Sequence, residues 1–101
     1  MERRLATLAT CSLNQLAMDF KWNMHNIICS VKEAKEKGAR YRIGPELEIP
    51  GYSCEDHFLE PDTVHHSWEV LANILSDPGL TKDIICEFGM PVQHKDMQYN
   101  C

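Results

Sequence analysis

A glutamate lies between two proline-marked bends in residues 44–52, whose sequence is GPELEIPGY. Pro45 fixes its own φ and biases Gly44 toward an extended backbone, and Pro50-Gly51 is a strong turn signal. We therefore expect Glu46 to stand where a strand gives way to a loop. A carboxylate in that position can be held rigidly and still face a cleft, which suits a general base.

Other residue types that could do chemistry follow this stretch. Asp56 and His57 lie just downstream, and His65 and His66 come a few residues later, so a metal site is one interpretation. Their spacing is irregular and no partner motif accompanies them, whereas metal sites use defined spacings. We predict no metal site and expect these side chains to cap helices and make hydrogen bonds in loops.

The chain has five cysteines, and none forms a C-x-x-C pair. An odd count without such pairs favours neither a disulfide framework nor a zinc module. Because no secretory signal is recognisable, we expect reduced thiols and a cytoplasmic location. Cys11, Cys29 and Cys86 fall on predicted strands or a helix, so we expect them to be core thiols.

The remaining two cysteines are Cys54 and Cys101. Cys54 is the loop cysteine near Glu46, and it could pair with that carboxylate. A non-catalytic loop thiol is the interpretation that we favour for it. Cys101 falls in a predicted hairpin strand.

Composition limits the classes of partner. The 101 residues are 44% hydrophobic and 25% charged, which is ordinary for a globular protein. The net charge of −5 argues against a nucleic-acid partner. No apolar run is long enough to cross a bilayer, so no membrane partner is expected.

The first half of the chain reads as strand, helix, strand. Residues 5–13 predict a strand. Asp19 is a candidate N-cap and Gly38 a candidate C′ residue of a helix between them. The apolar stripe of this helix comprises Met24, Ile27, Ile28, Val31 and Ala34. Residues 39–49 predict a second strand, parallel to the first. Arg40 and Arg42 share one side of it, and we expect one of them to pair with a carboxylate.

The second half adds one helix and two strands. Asp62 or Thr63 is expected to cap the helix, whose apolar stripe would be Val64, Trp68, Leu71, Ala72 and Leu75. Residues 82–92 form an almost continuous apolar run, which is typical of a strand covered on both faces. A turn at residues 94–96 would lead into an antiparallel fourth strand at residues 97–101. We therefore predict an α/β fold with two helices on one face of a roughly four-stranded sheet.

The motif around Glu46 resembles the first catalytic block of the nitrilase superfamily. The pattern Gly-Pro-Glu-Leu-Glu-Ile, then Gly51-Tyr52, then Cys54, Asp56 and His57 is similar to the glutaminase domain of glutamine-dependent NAD synthetases. The resemblance also covers residues 9–15, 34–42, 83–86 and 89–92. It implies that residues 1–101 are the N-terminal portion of a carbon-nitrogen hydrolase domain, with part of an α-β-β-α sandwich. A chain that stops within a strand pattern leads to the same expectation of a fragment.

The resemblance also implies a mechanism. Such amidases use a Cys nucleophile, a Glu base and a Lys that helps to hold the oxyanion. Glu46 matches the base, and Tyr52 matches a position that lines the glutamine pocket. Gln15 could lie near the same cleft, and Glu48 is expected to be structural or to support the pocket. The Lys and the nucleophilic Cys would lie beyond Cys101, so the chain alone is expected to be inactive.

What the resemblance implies for the whole protein is glutamine hydrolysis that supplies ammonia to a fused synthetase domain. That domain would use ATP and magnesium to convert deamido-NAD to NAD, and the parent would be a homo-oligomer. The residues of this chain call for no cofactor of their own. Two alternatives stay open, namely another nitrilase-type amidase and a catalytically dead short isoform that binds the full-length enzyme through its exposed sheet edge.

Overall fold

The computed structural model describes residues 3–101. Three short parallel strands form one sheet in the order β1 (Leu8–Thr10), β2 (Tyr41–Ile43) and β3 (Ile85–Glu87). Helix α1 (Phe20–Glu36) connects the first two strands, and helix α2 (Pro61–Leu75) precedes the third. The α/β class and the parallel β1–α1–β2 unit are confirmed.

The ends of α1 follow the predicted signals. The Asp19 carboxylate accepts a hydrogen bond from the Trp22 amide at 3.0 Å, which caps the first turn. Gly38 follows the helix with a φ of +79°, a left-handed conformation that glycine adopts without strain. The buried residues include three of the predicted stripe, Ile27, Val31 and Ala34, and the other two pack against the core.

Helix α2 differs from its prediction at its start and on its buried face. It begins at Pro61 with Glu60 at the cap position, not at Asp62 or Thr63. The Thr63 hydroxyl bonds instead to the His57 carbonyl of a short 3-10 helix (Glu55–Leu59). The buried residues are Thr63, Val64, Ser67, Val70 and Ile74.

The apolar stripe predicted for α2 was therefore wrong for most of its members. Trp68 is 48% exposed and Leu75 55% exposed. Thr63 and Ser67 occupy the interior instead. Both buried hydroxyls have a partner, because that of Thr63 donates to the His57 carbonyl and that of Ser67 donates to the Thr63 carbonyl at 2.8 Å. After α2, Asp77 caps a further helical turn, α3 (Pro78–Thr81).

The two faces of the sheet have different surroundings. The register places Ala9, Arg42 and Cys86 side by side, and this row points toward α1 and α2. A neighbouring row carries Leu8 and Ile85, which are 68% and 64% exposed. The prediction that the third strand is covered on both faces is therefore wrong for this chain. The core between sheet and helices includes Ile27, Ile49, Val70, Ile74 and Met90.

The second strand is much shorter than predicted. Pairing stops at Ile43, and residues 46–50 form turns instead of continuing to residue 49. Pro45 has no amide hydrogen to donate to a neighbouring strand, and Leu47 has a left-handed φ of 52°. The first strand is likewise limited to Leu8–Thr10 within the predicted residues 5–13.

The third predicted strand is divided in two. After β3 the chain bends at residues 88–90, and β4 (Pro91–His94) leaves the parallel sheet. Strand β4 pairs with β5 (Met97–Asn100) in an antiparallel hairpin. The single four-stranded sheet was therefore wrong, because Gly89 packs against the turn after β2 and redirects the chain. The predicted turn and the antiparallel last strand are confirmed. None of the helices within residues 3–101 is long and apolar enough to cross a bilayer.

Candidate active site

Glu46 lies just beyond β2, at the start of the turn that precedes Pro50-Gly51. Its side chain is exposed, and one carboxylate oxygen accepts a hydrogen bond from the Asn100 amide at 2.7 Å. The turn itself closes through the Gly51 amide, which donates to the Leu47 carbonyl at 2.9 Å. The carboxylate is therefore presented to the surface by a hydrogen-bonded segment, and its place just past the end of a strand is the one that the sequence predicted.

The second glutamate of the motif has the opposite environment. Glu48 is fully buried, and both of its carboxylate oxygens accept hydrogen bonds from Arg42 at 2.8 Å. A two-point contact between guanidinium and carboxylate fixes orientation as well as distance. Because Arg42 stands on β2, this salt bridge ties the turn that carries Glu46 to the central strand. Arg42 is thus the arginine that pairs, and Glu48 has the structural role expected of it.

The remaining donors of Arg42 are also occupied. The Ser30 hydroxyl on α1 accepts from the guanidinium at 2.8 Å, and the Glu87 carbonyl of β3 accepts at 3.0 Å. The Phe88 ring lies 5.0 Å from the guanidinium carbon. Burial alone would lower the pKa of Arg42, but hydrogen bonding to Glu48 and its negative charge raise that pKa above its usual value. Arg42 is therefore a buried cation with a matched anion.

Two glycines leave room for this arrangement. A Cβ atom on Gly44 would overlap the Glu48 carboxylate. A Cβ atom on Gly89 would lie 2.6 Å from the Leu47 nitrogen and 2.6 Å from the Pro45 oxygen. The bend between β3 and β4 thus lies directly against the backbone of the Glu46 turn, and the Ile49 amide donates to the Gly89 carbonyl at 3.1 Å.

The segment between β1 and α1 supports the turn from its other side. The Gln15 amide donates to the Glu48 carbonyl at 2.7 Å, which places Gln15 against the turn that carries Glu46. Asn23 is fully buried, and its amide donates to the Ile49 carbonyl at 3.0 Å. Sequence reasoning missed Asn23. A polar residue among the apolar positions of α1 was the only signal available for it.

Tyr52 lies at the end of the same segment and is 42% exposed. Its pKa is raised above the usual value of 10.0 by partial burial and then by the negative charges of Glu46 and Glu48. Nearby, a depression of about 210 Å³ is lined by Leu47, Phe58, Pro91, Gln98, Tyr99 and Asn100.

A family model described as carbon-nitrogen hydrolase matches residues 7–99. The match includes the turn that carries Glu46 and every strand and helix described above, except Asn100 at the end of β5.

The chain belongs to the carbon-nitrogen hydrolase family.

Curated carbon-nitrogen hydrolase relatives point to one kind of enzyme. The glutamine-dependent NAD(+) synthetase of Dictyostelium discoideum is 65% identical over 98 residues, which are 97% of this chain and 14% of that protein. The human glutamine-dependent NAD(+) synthetase is 55% identical over the same shares of the two chains. The chain thus spans about 14% of the length of the curated relatives that it matches.

Solved structures show the same fold. The glutamine-dependent NAD(+) synthetase from Cytophaga hutchinsonii superposes with a TM-score of 0.83 at 32% identity, over 91% of this chain and 15% of that chain. The enzyme from Acinetobacter baumannii, solved with ADP, gives a TM-score of 0.74 at 29% identity over 85% and 16% of the two chains. The resemblance to the nitrilase-like part of NAD synthetases is thereby confirmed.

The cysteines of this carbon-nitrogen hydrolase segment are free thiols in different environments. Cys54 is buried and its sulfur lies 3.1 Å from the Gly51 carbonyl, and burial raises the pKa of the thiol. It is thus held protonated against backbone, which fits a non-catalytic thiol. Cys11 and Cys86 are partly buried, but Cys29 is exposed, so its prediction as a core thiol was wrong. It falls on the side of α1 opposite the buried stripe.

The histidines make local contacts. His57 lies 3.3 Å from the Glu60 carboxylate and His65 lies 3.0 Å from that of Glu69, each one helical turn away. Within residues 3–101, no three His, Cys, Asp or Glu side chains converge closely enough to hold a metal ion. Neither contact is a helix cap, and no side chain caps the 3-10 helix or α2, so the predicted capping role was wrong.

Proposed function

We propose that this chain supplies the general base, Glu46, to the glutamine-hydrolysing site of a glutamine-dependent NAD synthetase. The proposal rests on the different environments of two glutamates in one turn. Glu46 is exposed at the end of β2, whereas Glu48, two residues on, is buried and locked to Arg42. A turn held so firmly can keep a reactive carboxylate in one place, which a general base requires.

In the proposed reaction, Glu46 accepts the proton of a cysteine thiol supplied by a later part of the enzyme. The thiolate attacks the side-chain amide carbon of glutamine, and a lysine from the same later part stabilises the oxyanion. Glu46 then returns the proton to the leaving nitrogen, so that ammonia departs and a thioester remains. It next takes a proton from water, which attacks the thioester and releases glutamate and the thiol. Tyr52 would line the glutamine pocket.

The similarity to glutamine-dependent NAD(+) synthetases favours this reaction over that of another nitrilase-type amidase. We further propose that the chain is the first part of its carbon-nitrogen hydrolase domain, and that a fused synthetase domain uses the ammonia with ATP and magnesium in a homo-oligomer. A cytoplasmic location would keep the five free thiols reduced.

The test uses a hybrid synthetase, in which this chain replaces the segment that it matches in the Dictyostelium discoideum enzyme. Glu46→Gln keeps the shape of the side chain and removes its basicity. We expect it to lower glutamine-dependent NAD synthesis by about 10²–10⁴-fold. Synthesis from added ammonia should be unchanged, because that route bypasses glutamine hydrolysis and reports an intact fold.

The matched control is Glu33→Gln, an exposed glutamate on α1 that pairs with Lys37. It should leave both activities at the level of the unmodified hybrid. If Glu46→Gln kept full glutamine-dependent activity, Glu46 would not be the base and the proposal would fail.

A further inference from the structure

The Glu46 carboxylate has one hydrogen-bond donor among residues 3–101, the side-chain amide of Asn100 at 2.7 Å. The two residues are 54 positions apart in sequence. Asn100 is in strand β5, opposite Pro91 of β4. The ladder continues one step further, because Met90 and Cys101 exchange backbone hydrogen bonds of 2.7 and 3.0 Å. Asn100 is therefore held within a regular hairpin and is not on a loose end of the described chain.

Two other contacts hold the hairpin in place, one to the Glu46 turn and one to the 3-10 helix that follows it. Gly89, just before β4, approaches the turn so closely that a Cβ atom there would lie 2.8 Å from the Glu46 Cα. The Gln98 amide of β5 donates to the Phe58 carbonyl of the 3-10 helix at 2.8 Å. These contacts fix the position of β5 relative to the turn independently of the Asn100 side chain.

An amide is well suited to hold a general base. It donates a hydrogen bond at every pH at which the enzyme works, and it does not compete for the proton that the base must carry. Asn100 contacts only one of the two carboxylate oxygens, Oε2. The other oxygen is left to receive a proton from a nucleophile or from water.

We propose that Asn100 is the positioning residue of Glu46, and that the β4–β5 hairpin serves to present this amide to the base. This inference rests on the proposed function, since it assumes that Glu46 is the general base. Asn100 acts through Glu46 and need not touch glutamine.

The decisive variant is Asn100→Asp in the hybrid synthetase, which keeps the shape of the side chain but replaces the donor with a second carboxylate. Two carboxylates at hydrogen-bond distance share a proton, so the pair would hold that proton to higher pH. We expect the acidic limb of the kcat/KM profile for glutamine to move up by about one pH unit or more. Other titratable groups that act on this region are Tyr52, neutral until alkaline pH, and Glu48, neutralised by Arg42.

A control and a second variant complete the test. Gln93→Glu adds the same charge to the same hairpin, where Gln93 bonds to the Lys95 carbonyl, and should leave the acidic limb in place. Asn100→Leu removes the donor without adding charge. It should lower kcat on the order of tenfold or more with KM little changed, because the base is no longer aligned. Ammonia-dependent synthesis should persist in each variant.

The outcomes separate the two proposals. If Asn100→Asp left the acidic limb unmoved, or Asn100→Leu kept full kcat, the positioning role would be wrong while the inactivity of Glu46→Gln would still support the base. If Glu46→Gln itself were active, the proposed function would fail first. Loss of ammonia-dependent synthesis in both Asn100 variants would show that the amide is needed for folding, and would also overturn the inference.

Discussion

Arg42 and Glu48 are six residues apart, and both side chains are completely buried where they meet in a two-point salt bridge with 2.8 Å contacts. The pair joins strand β2 to the turn that follows it. Ser30 and the Glu87 carbonyl satisfy further guanidinium donors, so the charge is compensated on several sides. The conformation of the Glu46 turn therefore depends on this contact.

Breaking the pair on one side should be costly. We expect Glu48→Gln, or Arg42→Met, to lower the free energy of unfolding by about 3–5 kcal/mol, because each leaves a buried charge or donor without its partner. Urea unfolding of the purified chain, followed by tryptophan fluorescence, measures the change. The double variant should lose less than the sum of the two single losses.

The comparison for that experiment is the exposed pair of Glu33 and Lys37. Glu33→Gln should leave the urea midpoint nearly unchanged, because exposed ion pairs are screened by water. Equal effects at Glu33 and Glu48 would contradict the importance of the buried pair.

Gly89 should not tolerate a side chain. We expect Gly89→Ala to lower the free energy of unfolding by about 1–3 kcal/mol, since the new methyl group would meet backbone atoms of Pro45 and Leu47. Gly79→Ala is the matched control, because a Cβ atom there meets only the Asp77 side chain at 3.3 Å. Thermal unfolding of both variants checks the difference, and similar melting temperatures would show that the bend can relax.

Tyr52 should affect binding of glutamine more than its chemistry. In the hybrid synthetase, we expect Tyr52→Ala to raise KM for glutamine by about tenfold, which corresponds to the loss of one aromatic contact. Glutaminase kinetics at saturating glutamine should show kcat changed much less. A fall in kcat with KM constant would instead place Tyr52 in the chemical step.

The thiols should differ in reactivity. Cys29 is exposed, whereas Cys54 is buried and has a raised pKa because of that burial. The reactive species is the thiolate, so a disulfide reagent at mildly alkaline pH should modify Cys29 at least about tenfold faster than Cys54. Peptide mapping after timed quenching gives the two rates. Equal rates would mean that the segment after Gly51 opens readily.

The buried Cys54 thiol should also make the stability of the folded chain decrease at alkaline pH. The pKa of Cys54 is raised in the folded chain above its usual value of 9.0, so the unfolded chain loses this proton first. The stabilisation is fully present below about pH 9 and is lost as pH rises through the folded pKa. Urea midpoints measured from pH 7 to 10.5 should fall, and Cys54→Ala should make that fall shallower. An unchanged slope in the variant would assign the effect to other groups such as Cys86 and Tyr52, whose pKa values are also raised.

Local signals were sufficient for the ends of α1 and for the position of Glu46. Asp19 and Gly38 mark the ends of α1 because capping and left-handed φ are properties of single residues and their near neighbours. Pro45 and Pro50-Gly51 constrain the backbone around Glu46 in the same way. The motif itself identified the family, since its residues are adjacent in sequence.

Long-range contacts decided the rest. The buried face of α2 is set by packing against α1 and β4, which helical periodicity does not encode. The Thr63 and Ser67 hydroxyls on that face then bond to carbonyls only six and four residues earlier. The single sheet divided because Gly89 packs against a turn more than 40 residues earlier, as its contact with the Glu48 side chain also shows.

The sequence by itself determined the family, through the motif around Glu46, and where the chain bends around that residue. Only the tertiary structure decided that Arg42 holds Glu48 and that Asn100 reaches Glu46. The physical reason is that a conformational preference acts within a few residues, whereas the partner of a charged or amide group depends on which distant segments the packed core brings together.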